Sequence, residues 1–267
     1  MANSKQNKTQ MKKKPLILIT NDDGITSPGI SHLISIAKKL GDVFVVAPDK
    51  PQSGMGHAIT INSSLRVHKS KYHGVSNEYS CSGTPVDCIK IAINQLMKKK
   101  PDLILSGINH GSNLSINVIY SGTMSAAVEG AVEGIPSIGF SLCDYAYEAD
   151  FTSSSVFVEK IIDQVLNKKL LPVGVCLNVN IPKLPADLIK GIKVCRQANA
   201  YWEEKFDERV DPYGRPYYWL TGEFIDLEKG VKDTDVWAVE HGYVSVVPTH
   251  ADMTAHQLVK KIANKFN

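Results

Sequence analysis

The sequence has no apolar run long enough to span a membrane, no two cysteines at C-x-x-C spacing, and no basic excess outside its first fourteen residues. The first absence excludes a transmembrane helix. The stretch from Met1 to Lys14 is polar and lysine-rich and lacks the apolar segment of a secretory signal, so residues 1–14 are expected to form a disordered basic tail. The five cysteines (Cys81, Cys88, Cys143, Cys176, Cys195) are scattered and odd in number. They indicate neither a zinc site nor a disulfide framework, but a reducing, cytoplasmic setting with cysteine as a small core residue. The formal charge of +3 comes from the tail: removing its five lysines from the 30 basic residues leaves 25 against 27 acidic ones. A specific nucleic-acid surface on the folded part is therefore not expected.

Several catalytic signatures are missing too. There is no G-x-x-x-x-G-K-[ST], no H-E-x-x-H and no G-x-S-x-G, which disfavours P-loop, zincin and serine-hydrolase chemistry. Gly54-Met55-Gly56 begins like a dinucleotide fingerprint, but Ile59 occupies the third glycine position, leaving a nicotinamide site a weak alternative.

What is present begins with Leu16-Ile17-Leu18-Ile19, a run that predicts a strand buried on both faces. Thr20-Asn21-Asp22-Asp23-Gly24 follows, and Ser27-Pro28 reads as the cap and first residue of a helix. Asp22 and Asp23 thus stand at the carboxyl end of a strand, the edge where open α/β sheets bind ligands. Neighbouring carboxylates repel each other unless a cation is near. A hard divalent metal explains the pair; so does a polar turn, since Asn-Asp-Asp-Gly is good turn chemistry.

Strand and helix patterns then alternate: strands at Val43 to Ala47, Leu103 to Leu105, Ser137 to Phe140 and Val175 to Val179, and helices from Ile30 to Leu40, from Thr84-Pro85, from Met124 to Gly134 and from Ser153 to Leu166. Alternation around Ile59 to Val67 predicts antiparallel strands. The fold class expected is α/β, a Rossmann-like, mostly parallel three-layer sheet. Residues 15–190 form its catalytic core and residues 191–267 a C-terminal extension, with a hairpin whose one arm is Tyr217 to Phe224, a return strand at Tyr243 to Val247 and a terminal helix.

Three strand ends then matter, and four oxygen-bearing side chains can converge if their loops meet at a topological switch point. The first carries Asp22 and Asp23, the second leads to Ser53, the third to Asn109. Two carboxylates, a hydroxyl and an amide oxygen form a half-shell suited to Mg²⁺ or Mn²⁺. Gly54, Gly107 and Gly111 allow backbone N–H groups close to an anion, and Ser121-Gly122-Thr123 offers a helix N-terminus. Together these point to phosphate esters. Ser53 reads equally as a turn residue, and His57 and His110 as contacts around the site or as surface histidines.

These motifs, in this order, resemble the SurE family of survival-protein nucleotidases: Ile19 to Gly24, Ala47-Pro48 through Gln52-Ser53-Gly54, Ser82-Gly83-Thr84-Pro85-Val86-Asp87, Ser106-Gly107-Ile108-Asn109 with Gly111 and Asn113, Tyr120-Ser121-Gly122-Thr123, Thr234-Asp235, and Gly242 to Val246. The resemblance implies a metal-dependent phosphoric monoester hydrolase acting on nucleoside 5′-monophosphates, with 3′-nucleotides and polyphosphate as open further substrates. It implies one divalent ion held by Asp22, Asp23, Ser53 and Asn109, and a hairpin and tail exchanged between subunits in a homodimer or homotetramer. Two departures are the lysine-rich tail and Val247-Pro248-Thr249-His250, where the family often has Thr-Pro-Leu. Asp22 and Asp23 are the candidate catalytic groups. Asp23 would act as base toward water, and its direct attack to form an aspartyl-phosphate is the rival route. Gly54, Ser106, Gly107, Asn113, Ser121 and Thr123 are the candidate substrate or phosphate contacts. A non-catalytic nucleotide-binding protein on the same fold is the alternative.

Overall fold

Where four aliphatic residues stand in a row, the first strand forms: Leu16–Thr20 (β1) is fully buried from Ile17 onward. The computed structural model describes residues 14–146 and 148–266; all of the expected basic tail except Lys14 lies outside them. Pro28–Leu40 (α1) carries the chain back to Asp42–Pro48 (β2), which pairs parallel with β1. Val67–Lys69 (β3) and Glu78–Cys81 (β4) complete this half, β4 parallel to β2 and β3 antiparallel to β4.

The alternation from Ile59 to Val67 yields only β3. Side chains, not a partner strand, hold this stretch. The Thr60 N–H and hydroxyl donate to Asp87 (3.0 and 2.6 Å), and the Thr84 hydroxyl donates to the Ala58 carbonyl (2.7 Å). Ile59 and Ile61 are exposed, so no buried face fixes a strand register.

Pro85–Ile91 (α2) opens with a complete capping box between Thr84 and Asp87. Leu103–His110 (β5) pairs parallel with the other side of β1. Gly122–Val132 (α3), Ser137–Leu142 (β6), Ser155–Lys168 (α4) and Val175–Ile181 (β7) continue the alternation. Then come Ile192–Val194 (β8), Ala200–Val210 (β9), Pro216–Asp226 (β10), Asp235–Glu240 (α5), Val244–His250 (β11) and His256–Phe266 (α6).

One nine-stranded sheet runs β3-β4-β2-β1-β5-β6-β7-β11-β8, parallel except at β3–β4 and β7–β11. Successive strand residues feed opposite cores. Ile17, Ile19, Leu103 and Leu105 pack with α1 and α4 residues; Leu18 and Ile104 pack with Cys88, Ile89 and Ala126. This is the three-layer α/β arrangement expected. Residues 191–266 divide in two. β8 and β11 extend the main sheet, whereas β9 and β10 pair only with each other and α6 has no buried residue.

Candidate active site

Between β1 and β5 the strand order reverses, the first half of the sheet lying on one side and the second on the other. Their carboxyl ends therefore flank a topological switch point, where such sheets open a crevice for ligands.

The turn leaving β1 is fixed by Asn21, the first residue of the Asn-Asp-Asp-Gly segment. Its amide donates to the Gly24 carbonyl (2.9 Å) and to the Ser27 hydroxyl (2.8 Å). Ser27 stands at the helix N-cap but makes no side-chain cap bond; accepting from Asn21 replaces that role. Gly24 has φ +95°, a left-handed conformation that favours glycine.

Asp22 is 4% exposed. The Thr123 hydroxyl donates to its Oδ1 at 2.5 Å, so the first turn of α3 meets this carboxylate. Gly122 allows the approach: a Cβ there would stand 2.7 Å from the Cβ of Asp22. Burial, then repulsion from Asp23, pushes the Asp22 carboxyl up to about 6, against the lowering pull of Thr123. Gly122→Ala is expected to displace α3 from Asp22 and lower kcat/KM about 100-fold, the scale of a 1 Å misplacement; steady-state kinetics with normal far-UV dichroism check it.

Asp23 is more accessible, its side chain 18% exposed. Its Oδ2 accepts from the His110 backbone N–H (3.3 Å) and faces His110 Nδ1 (3.4 Å). The His110 ring is braced edge-on against Phe151, with centroids 4.8 Å apart. His110 thus orients Asp23. His110→Ala is expected to weaken activating-metal affinity or turnover about 10- to 100-fold, as for other residues that hold a ligand in place; metal-activation curves read this directly.

Asn109 lies within β5, one residue before its end. The β5–β6 register shifts between Ser106 and Asn109, where Gly107 has φ +125° and a Cβ would strike the Phe140 carbonyl. The Asn109 amide nitrogen donates to the Gly111 carbonyl (2.9 Å), which leaves its oxygen as the acceptor.

Ser53 follows β2 in an exposed loop, tied to the site through its neighbour: the Gln52 N–H donates to the Asp22 carbonyl (2.8 Å). Beyond it, the Gly56 N–H donates to the Tyr120 carbonyl (3.1 Å). His57 pairs with the buried Glu129 at 2.9 Å, and Lys90 holds the other oxygen of that carboxylate. The His57 contact, with Lys90, keeps the Glu129 carboxyl below the usual range despite burial. His57 therefore anchors the Ser53 loop onto α3.

The candidate phosphate contacts divide. Gly54 is open, with nothing within 4 Å of an added Cβ. Ser106 is fully buried, and its hydroxyl has no hydrogen-bond partner among the described residues. The other polar groups have internal partners: Ser121 Oγ accepts from the Met124 N–H (3.0 Å), Thr123 holds Asp22, and the Asn113 amide donates to Ser141 (2.8 Å) while its main chain binds Asn178 and Asn180.

Fold and site together define an α/β protein with two adjacent carboxylates at the switch point of its sheet. A family profile described as "Survival protein SurE" matches residues 17–204. The chain belongs to the SurE family. The "5′-nucleotidase SurE" of Christiangramia forsetii is 62% identical over 258 residues, 95% of this chain and 97% of that one. That of Flavobacterium psychrophilum is 60% identical over 252 residues, 94% of this chain and 97% of its own. The crystal structure of the SurE protein from Aquifex aeolicus superposes with a TM-score of 0.82 at 42% identity, covering 95% of this chain and all of the other.

Proposed function

We infer that this chain is a 5′-nucleotidase that hydrolyses nucleoside 5′-monophosphates to nucleoside and phosphate with the help of a divalent metal. The observation that carries the reading is the carboxylate pair at the switch point, in a chain whose near relatives bear that activity in their names. The donor set fits a hard cation: every candidate ligand atom is an oxygen, and one carboxylate is held in a buried place that disfavours its charge.

Asp22, Asp23, Ser53 and Asn109 would hold one Mg²⁺ or Mn²⁺ ion, which when bound supplies Lewis-acid polarisation of a phosphate oxygen and a more acidic water. Asp23, the more exposed carboxylate, takes a proton from the attacking water, with His110 holding its orientation. Gly54 and Gly107 present backbone to the phosphoryl oxygens. Positioning and charge neutralisation provide most of the rate in such transfers. Phosphate release from a panel of nucleoside 5′- and 3′-monophosphates and polyphosphate, with Mg²⁺, Mn²⁺ or EDTA, tests the reading. Metal-dependent release from the 5′-monophosphates is expected; release undiminished by EDTA, or none at all, would overturn it.

The active form is a homodimer or homotetramer. Leu258, Val259, Ile262 and Phe266 on α6 are 45–86% exposed, and Phe206 and Trp219 on the hairpin 59–66%. Covering such side chains contributes roughly 1.5–3 kcal/mol each, which favours association. A monodisperse monomer in light scattering at micromolar concentration would contradict this. No helix among the described residues is long and apolar enough to cross a membrane. The unpaired cysteines support a cytoplasmic setting.

A further inference from the structure

A cavity of about 480 Å³ opens where the hairpin meets the turn before α3, lined by Tyr120, Trp202, Glu204, Leu220, Thr221 and Gly222. None of these residues has a part in holding the metal or the phosphate.

Its position connects it to the site. Tyr120 precedes the N-cap Ser121 and lies two residues from Gly122, which abuts Asp22; two residues span at most about 7 Å. The Tyr120 carbonyl also receives the Gly56 N–H of the Ser53 loop. A phosphate at the carboxylates would thus leave the rest of a nucleotide facing this wall.

Its chemistry suits a flat aromatic ring. Trp202 is 40% exposed and Tyr120 54%, yet Trp202 is held at both edges. Its indole N–H donates to Asn117 Oδ1 (2.7 Å), and its ring meets Phe224 in a T-shaped contact, centroids 5.7 Å apart. The hairpin register places Gly222 opposite Glu204 and Phe224 opposite Trp202. Residues two apart share a face, so Trp202, Glu204 and Gly222 stand on one face of the hairpin, and close backbone packing at Gly222, where a Cβ would meet the Glu203 carbonyl at 2.6 Å, keeps that position free of a side chain. Glu204 and Thr221 add polar atoms, Glu204 as an acceptor for an exocyclic amino group.

We propose that this cavity receives the nucleobase of the substrate, stacked against Trp202 and Tyr120. The proposal rests on the nucleotidase reading and adds the part of the substrate that is recognised. Ribose 5-phosphate, which carries the same phosphoester without a base, separates the two. Trp202→Ala and Tyr120→Leu are each expected to raise KM for AMP about 5- to 150-fold, the scale of base stacking on an aromatic side chain, and to leave kinetics on ribose 5-phosphate unchanged. Trp202→Phe is expected to recover most of the loss. If Trp202→Ala fails to fold, Tyr120→Leu, at an exposed position, carries the test. Unchanged KM for AMP in both variants would overturn the proposal while leaving the nucleotidase reading intact. Equal losses on AMP and ribose 5-phosphate, with a fall in oligomeric mass, would assign the cavity to a second copy of the chain and also overturn it. Absence of metal-dependent release from either substrate by the unaltered protein would remove the underlying reading itself.

Discussion

Replacing Asp23 by asparagine is expected to lower kcat/KM for a nucleoside 5′-monophosphate about 10³-fold without unfolding the protein. General-base action alone is worth roughly 10²- to 10⁴-fold, and the substitution also removes a charged candidate metal ligand. Asparagine is isosteric, and its carbonyl oxygen still accepts from the His110 N–H now bound at 3.3 Å. The loss should therefore fall on chemistry. Steady-state kinetics with thermal melts of both proteins check it. Retained activity would place the base elsewhere. Borohydride reduction of enzyme quenched during turnover then separates the routes: conversion of Asp23 to homoserine shows an aspartyl-phosphate, and none supports direct attack by water.

The neighbouring substitution should act oppositely on stability. Asp22 titrates near 3.8 when unfolded and at about 6 when folded. Between those values the folded state keeps a proton that the unfolded state has released. Stability therefore falls as pH rises from about 4 to 6, and the full penalty persists at neutral pH. Moving the carboxyl from 3.8 to about 6 corresponds to about 3 kcal/mol. Asp22→Asn removes that penalty and keeps an acceptor for Thr123. In EDTA at pH 7.5, Asp22→Asn is expected to melt about 6–12 °C higher than the unaltered protein, from 2–4 °C per kcal/mol in a domain of this size. Its melting point should fall less from pH 4 to 7 than the parent's. Adding Mn²⁺ should raise the parent's melting point and barely move the variant's. A variant less stable than the parent at every pH would show that the Asp22 charge is already compensated within the protein.

Much of this arrangement was legible because it is local. Leu16 to Ile19 could only be a buried strand, and Thr84-Pro85-Val86-Asp87 carries its capping box in sequence. One arm of the hairpin, Tyr217 to Phe224, was legible in an aromatic, charged segment broken by Pro212, Gly214 and Pro216; its partner Ala200–Val210 was not. The rest depends on contacts between distant residues. Thr123 meets Asp22 across 101 positions and Glu129 meets His57 across 72, separations no local pattern records. The Ile59 to Val67 alternation misled because Asp87 and Thr84 satisfy that backbone, an alternative to strand pairing invisible from spacing. Ser121 and Thr123 are legible as residues of a helix start; that Thr123 also donates to Asp22 is not.

The most direct test of the central claim is a Mn²⁺ titration followed by electron paramagnetic resonance of the free ion. One Mn²⁺ bound per chain, with affinity at least about 100-fold weaker in Asp22→Asn and in Asp23→Asn, is the result predicted for a metal seated on the carboxylate pair. Binding of equal strength in all three proteins, or none in a protein that still releases phosphate in EDTA, would contradict it.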